Sequence, residues 1–182
     1  MASMLHEATI YVLGRSATRF ASQRMKLESI YPGCNIVFIE VEISLLGEVD
    51  AACERIVGAE RKVDYFYMSP GLIPLNGPEY TKEGLEICFA LSYYTRMRLV
   101  SNLLPLLSQS QHPRVLSVLN GGKEKAIYDN DIGLAKNWSP IAVINHTTTM
   151  TTLSSSTSQK TTSKSPSCMH SPAGSKRTSL PG

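Results

Sequence analysis

Short runs rich in Val, Ile, Tyr and Phe alternate with helix-period stretches over residues 8–153. ATIYVLG (8–14), NIVFIEVEI (35–43), VDYFYMS (63–69) and PRVLSVLNGG (113–122) read as strands closed by turn residues, the first of them buried. Between them, RSATRFASQRMKLESIY (15–31) can place Phe20, Met25, Leu27 and Ile30 on one face. LLGEVDAACERIVGAERK (45–62) gathers Val49, Cys53, Ile56 and Val57 in the same way. The longest pattern, 81–110, repeats Leu85, Phe89, Tyr93, Met97 and Val100 at helical spacing, with Pro105 expected to kink its last turns. A polar loop over 123–140 precedes IAVINHTTTMTTL (141–153), which begins like a helix. Strands alternating with helices predict an α/β fold whose mostly parallel sheet is covered on both faces.

The formal charge of +3 is unevenly spread. From Met1 to Asp131 there are 13 Lys/Arg against all 15 Asp/Glu, so this part is near −2 (13 minus 15). The remaining bases, Lys136, Lys160, Lys164, Lys176 and Arg177, stand where no acid follows. The basic balance therefore belongs to the tail and gives no reason to expect a nucleic-acid surface. Cys34, Cys53, Cys88 and Cys168 lie far apart without zinc spacing, so buried free thiols and no metal are expected. No signal-peptide pattern and no membrane-length apolar run stand in the sequence, and a soluble cytoplasmic protein is the expectation. From Thr147 to Gly182, 19 of 36 residues are Ser or Thr, a composition with little to bury. The expected division is thus a folded unit over 8–153 and a disordered Ser/Thr-rich tail over 154–182.

VDYFYMSPG, EGLEICFALSYYTRMRLVSNLLPLL and HPRVLSVLNGG, in this order, resemble the middle of a short-chain dehydrogenase/reductase. The resemblance is strongest to the divergent fungal branch associated with secondary-metabolite pathways, and it extends from about Thr9 to Leu153. It implies a Rossmann-like doubly wound sheet, NADP or NAD as cofactor, and a small lipophilic carbonyl or alcohol as hydride partner. It also implies a homodimer through the helix at 81–110. In the family, a first strand leads into a Gly-rich turn where the helix N-terminus receives the pyrophosphate. Here the first strand resembles the family's second, and no G-x-x-x-G-x-G occurs. The expected fold is a partial Rossmann-like sheet without that strand and turn. Their absence would remove roughly 10 kcal/mol of burial, comparable with a domain's whole stability of about 5–15 kcal/mol.

The same resemblance nominates site residues. Arg15, after the first strand, stands where the adenosine ribose is selected, and an Arg there pairs with a 2′-phosphate. An exposed helix-start Arg would look the same. Glu42 and Ile43 fall where adenine is contacted. Ser69 and Gly71 fall beside the cofactor, in place of Asn-Asn-Ala-Gly. At the catalytic positions Asn120 replaces the Ser that orients the carbonyl, and His146-Thr147-Thr148-Thr149-Met150 replaces Tyr-x-x-x-Lys. His can move a proton near neutral pH, whereas Met supplies no charge.

After Leu153 the family's pattern stops. Read one nucleotide out of frame with permitted codons, Ser155–Lys160 becomes Leu-Glu-His-Leu-Ala-Lys, and the shifted text later supplies Pro-Gly and Thr. The tail therefore reads as a frameshifted remnant. The function expected is an oxidoreductase by descent, impaired or inactive in this chain. A non-catalytic remnant, or a binding module dimerising through helix 81–110, is the alternative.

Overall fold

A computed structural model of the chain describes residues 8–118 and 122–162. Thr9–Gly14 (β1) and Asn35–Glu40 (β2) pair in parallel, in register from Thr9 opposite Asn35 to Gly14 opposite Glu40. Tyr65–Met68 (β3) and Arg114–Ser117 (β4) form a second parallel pair, Tyr65 opposite Arg114. Helices Ala17–Ile30 (α1) and Leu46–Ala59 (α2) make the first connections. A continuous helical stretch follows: Ile87–Phe89 (α3), a π-helical turn Ala90–Tyr94, and Thr95–Leu107 (α4). The last helix is Pro140–Thr162 (α5). Parallel ladders with crossover helices are the expected partial Rossmann-like α/β fold. Among the described residues, however, no hydrogen-bonded strand joins β1–β2 to β3–β4.

One core nevertheless serves both ladders. Ile39 and Val41 from the β2 side, Met68 from β3, Val49, Cys53 and Ile56 from α2, and Leu99, Leu103, Leu106 and Leu107 from α4 are buried together. The α2 spacing explains its share, because positions 49, 53 and 56 fall on one helical face. Val57, expected beside them, is 41% exposed.

Three expectations need correction. β1, read as a buried strand, is half-buried, because it has a partner on one side only. The sheet is not covered on both faces: Tyr65, Tyr67, Val115 and Leu116 are exposed. α1 buries no residue; Met25 and Ile30 are exposed, while Phe20 stacks on Phe38 of β2 with centroids 4.9 Å apart. Ser16 starts this helix by accepting the Arg19 backbone N–H, which satisfies one of its otherwise unpaired donors.

The long helix begins at Ile87, not residue 81, and its principal irregularity is the π turn, not Pro105. A π turn carries an extra residue, so the rows of i+3 and i+4 neighbours slip past it. The buried stripe accordingly changes from the Phe89 face to Thr95, Arg96, Leu99 and Leu103. Thr95 seals this step by donating its hydroxyl to the Ile43 carbonyl. The 123–140 loop is less polar in its packing than in its composition. Leu134 and Trp138 join Cys88, Phe89 and Val143 in a second apolar cluster, and Leu134 takes φ 55°, strained for a residue with a γ-branched side chain.

α5 continues beyond Leu153 to Thr162, so the segment expected as tail contributes its first nine residues to a helix. Thr147, Thr148 and Thr151 return their hydroxyl hydrogens to carbonyls one turn back, which lets a Thr-rich helix bury these residues. The rest of that segment, 163–182, and Asn120 with its neighbours lie outside the described residues.

α2 and α4 are clamped by charge. Arg98 donates twice to Asp50, at 2.6 Å each, and Asn102 donates to the same carboxylate at 2.7 Å. The Arg98 bonds, helped by Asn102, hold the Asp50 carboxyl below its usual range despite partial burial. The Asp50 contribution is therefore complete above the ordinary Asp pKa of about 3.9 and disappears as pH falls through the lower folded value. Because the pair is partly in solvent, Asp50→Asn should cost only about 0.5–1 kcal/mol at pH 7. Urea titrations at pH 7 and pH 2 should show that difference vanish in acid.

Candidate functional site

The carboxyl ends of parallel strands are where open α/β sheets present their loops to ligands. Two concavities lie there. The first opens where β3 and β4 end: Ser69, Pro70, Gly71, Leu72, Ile73 and Val118 form one side, and Ser92, Arg96, Thr147 and Thr148 the other. Its volume is about 230 Å³. The second, about 240 Å³, lies at the ends of β1 and β2 among Arg15, Glu40, Val41, Glu42 and Glu48.

Arg96 organises the first concavity. Only 4% exposed, it reaches from α4 to the ends of both strands. One terminal nitrogen donates to Ser117 Oγ and, at 2.7 Å, to the Val118 carbonyl; the other donates to the Pro70 carbonyl. Its Nε has no acceptor among the described residues. Burial lowers the guanidinium pKa, yet a guanidinium remains protonated. The side chain thus ties two strand ends together and places a positive charge at the cleft.

The residues at the β1–β2 end also come together. Arg15 Nη1 lies 3.9 Å from Glu42 Oε2, and Arg15 remains 70% exposed. Glu42 accepts from the Ser44 hydroxyl at 2.8 Å and from its N–H, while the Glu42 N–H donates to Glu48. Ile43 is linked through its carbonyl to Thr95, so it fixes the helix as well as bordering this region.

No family model matches the chain. It is 42% identical over 146 residues to an oxidoreductase of Emericella nidulans, covering 80% of this chain and 44% of that protein. It is 31% identical over 129 residues to a short-chain dehydrogenase/reductase of Stachybotrys chartarum, covering 65% and 36%. A metagenomic short-chain oxidoreductase solved in complex with NADP matches the fold with TM-score 0.67 over 89% of this chain and 67% of that one, at 10% identity. The chain is thus similar in sequence to fungal oxidoreductases, one of them a short-chain dehydrogenase/reductase, and shares the fold of a short-chain oxidoreductase. It spans under half the length of these fungal relatives.

Ser69 and Gly71 line the strand-end cleft. His146 does not face it. That ring is 1% exposed and turns to the 123–140 loop: Nε2 accepts the Tyr128 N–H at 3.1 Å, and Nδ1 lies 3.4 Å from the Ile132 carbonyl. Both nitrogens are engaged by backbone, which suits a role in holding the loop. Thr147 and Thr148, its neighbours on α5, line the cleft instead. Cys88 is no nucleophile at neutral pH, since burial pushes its thiol up to about 11.

Sequence reasoning missed Arg96. The signal was present: positions 96, 99 and 103 share a helical face, so an arginine stood in line with two core leucines. No helix among the described residues is long and apolar enough to cross a membrane.

Proposed function

We propose that this chain carries the dinucleotide and substrate cleft of an oxidoreductase moving hydride between NADP, or NAD, and a small lipophilic carbonyl or alcohol of secondary-metabolite biosynthesis. The observation that carries the reading is the pair of concavities at the carboxyl ends of the two parallel ladders. The β1–β2 end suits the adenosine and the β3–β4 end suits the nicotinamide and substrate. The fungal relatives' designation as oxidoreductases supports it.

The nucleotide selectivity proposed for Arg15 is modest. Arg15 is the cation of its concavity, but Glu40, Glu42 and Glu48 border the same space and oppose a phosphate. A ribose 2′-phosphate gains a partner only where Arg15 turns from Glu42. Turnover in this chain is proposed to be slow or absent for two reasons. The ladders flanking the pyrophosphate position are not joined among the described residues. Among the described residues lining the cleft, Arg96 is also the only ionisable one, and it is a poor proton donor at neutral pH.

The test follows NADPH and NADH binding by fluorescence, and oxidation of each with neutral ketones. Weak binding is expected, with Arg15→Ala lowering NADPH affinity about fivefold and leaving NADH affinity unchanged. Equal loss for both nucleotides would remove Arg15 from the phosphate. Rapid ketone-dependent oxidation would contradict the impaired state.

A further inference from the structure

The cleft holds a charge that no described carboxylate answers. Arg96 is buried in mid-helix, and its described partners are a hydroxyl and two carbonyls, all neutral. The ion pairs among the described residues employ Arg15, Arg24, Lys62 and Arg98, not Arg96. Among the described residues, no acidic side chain lines the cleft. Its Nε, buried, is left without an acceptor among the described residues. A buried cation in such surroundings is costly unless an opposite charge compensates it, and carbonyl dipoles compensate only in part.

The remaining lining residues do not supply comparable positive potential. Thr147 donates its hydroxyl hydrogen to the Val143 carbonyl at 2.8 Å, and Thr148 donates to the Ile144 carbonyl at 2.7 Å. An acid entering the cleft would meet methyl groups and hydroxyl oxygens there, and its attraction would come from Arg96. At about 230 Å³ the space suits a ring-sized molecule, not a whole dinucleotide. Leu72 and Ile73 make one wall apolar, so the fitting ligand combines an apolar body with an acid.

We propose that the cleft binds a small anionic group, carboxylate or phosphate, as the counter-charge of Arg96. Resting on the cleft's reading as the substrate and nicotinamide site, this gives the substrate an acid beside its carbonyl or alcohol, or else seats a phosphate of the nucleotide. Arg96 is here a binding residue; no bond is made or broken through it.

Titrating the full chain with benzoate, its neutral isostere benzamide and inorganic phosphate, by calorimetry and ligand-observed NMR, tests the idea. Benzoate should bind about tenfold more tightly than benzamide, and the advantage should shrink in high salt. Arg96→Lys should retain a preference and Arg96→Met should abolish it. Should Arg96→Met fail to fold, the wild-type comparison decides alone. Equal binding of benzoate and benzamide, or binding of neither benzoate nor phosphate, overturns the proposal. Displacement of benzoate by NADP supports a nucleotide phosphate as the anion, and simultaneous binding supports a substrate acid. NADPH oxidation with neutral ketones, without anion preference, would leave the functional reading standing and remove this inference.

Discussion

Leu103→Ala is expected to lower stability by about 2–5 kcal/mol, a large share of the ~5–15 kcal/mol that holds a domain folded. Leu103 is 3% exposed and belongs to the cluster that includes Ile39 and Val41 on the β2 side and Met68 of β3. Because no described strand bonds one ladder to the other, this apolar contact through α2 and α4 is what unites them. A cavity at Leu103 therefore weakens both halves at once, and neighbours on a fixed helix face collapse only partly into it. Leu104, its neighbour in sequence, is 49% exposed, so Leu104→Ala should change stability by no more than about 0.5 kcal/mol. Urea midpoints for the two variants make the comparison directly. Similar midpoints would mean that the ladders are not held by this core.

Arg96→Met is the second large effect, and its sign needs argument. Removing a buried charge relieves desolvation, and where the partners leave too, an apolar replacement is often neutral or stabilising. Here the partners stay. The Pro70 and Val118 carbonyls and the Ser117 hydroxyl lose their charged donor. Charge-assisted bonds contribute about 1.5–3 kcal/mol each, reduced where water can replace the donor, as at exposed Val118. A net loss of about 2–4 kcal/mol is expected. The loop over 69–73 should become protease-sensitive before the protein melts, because its anchor at Pro70 is gone. Arg96→Lys, which keeps charge but not the fork of donors, should fall between. A methionine variant as stable and protease-resistant as the parent would show that the strand ends are held by other contacts.

Elements with a single, unbroken period were readable from the residues. α2 declares its buried face through Val49, Cys53 and Ile56, and β2 declares itself through a β-branched run next to a turn at 32–34. α1 misled because Phe20, Met25, Leu27 and Ile30 match helical spacing without having a surface to cover. Periodicity reports which residues share a face and is silent on whether anything packs there. The π turn escaped for a related reason: an inserted residue shifts phase without leaving a residue-type signature. The stretch 123–140 looked like a plain polar loop because Leu134 and Trp138 are isolated in sequence and meet their cluster only in space.

The site was legible unevenly. Ser69 and Gly71, nominated by the resemblance, lie on the strand-end cleft. Arg15 and Glu42 were nominated separately, and only the folded chain brings them together among further carboxylates. His146 matched a motif position while its ring faces away from the cleft, since adjacent helical residues diverge by about 100° around the axis. Arg96 was overlooked because an arginine in a helix is ordinarily solvated, and only its alignment with Leu99 and Leu103 argued otherwise.

Thermal melting with and without NADPH bears most directly on the central proposal, that two ladders with no strand hydrogen-bonded between them among the described residues hold a nucleotide poorly. Binding to the folded state stabilises by about 4 kcal/mol when ligand exceeds its Kd a thousandfold, and by only about 0.4 kcal/mol when the two are equal. With millimolar NADPH, the divided sheet predicts a rise in Tm of about 1 °C or less. A rise of several degrees, saturating at micromolar NADPH, would show a formed dinucleotide site and contradict the account.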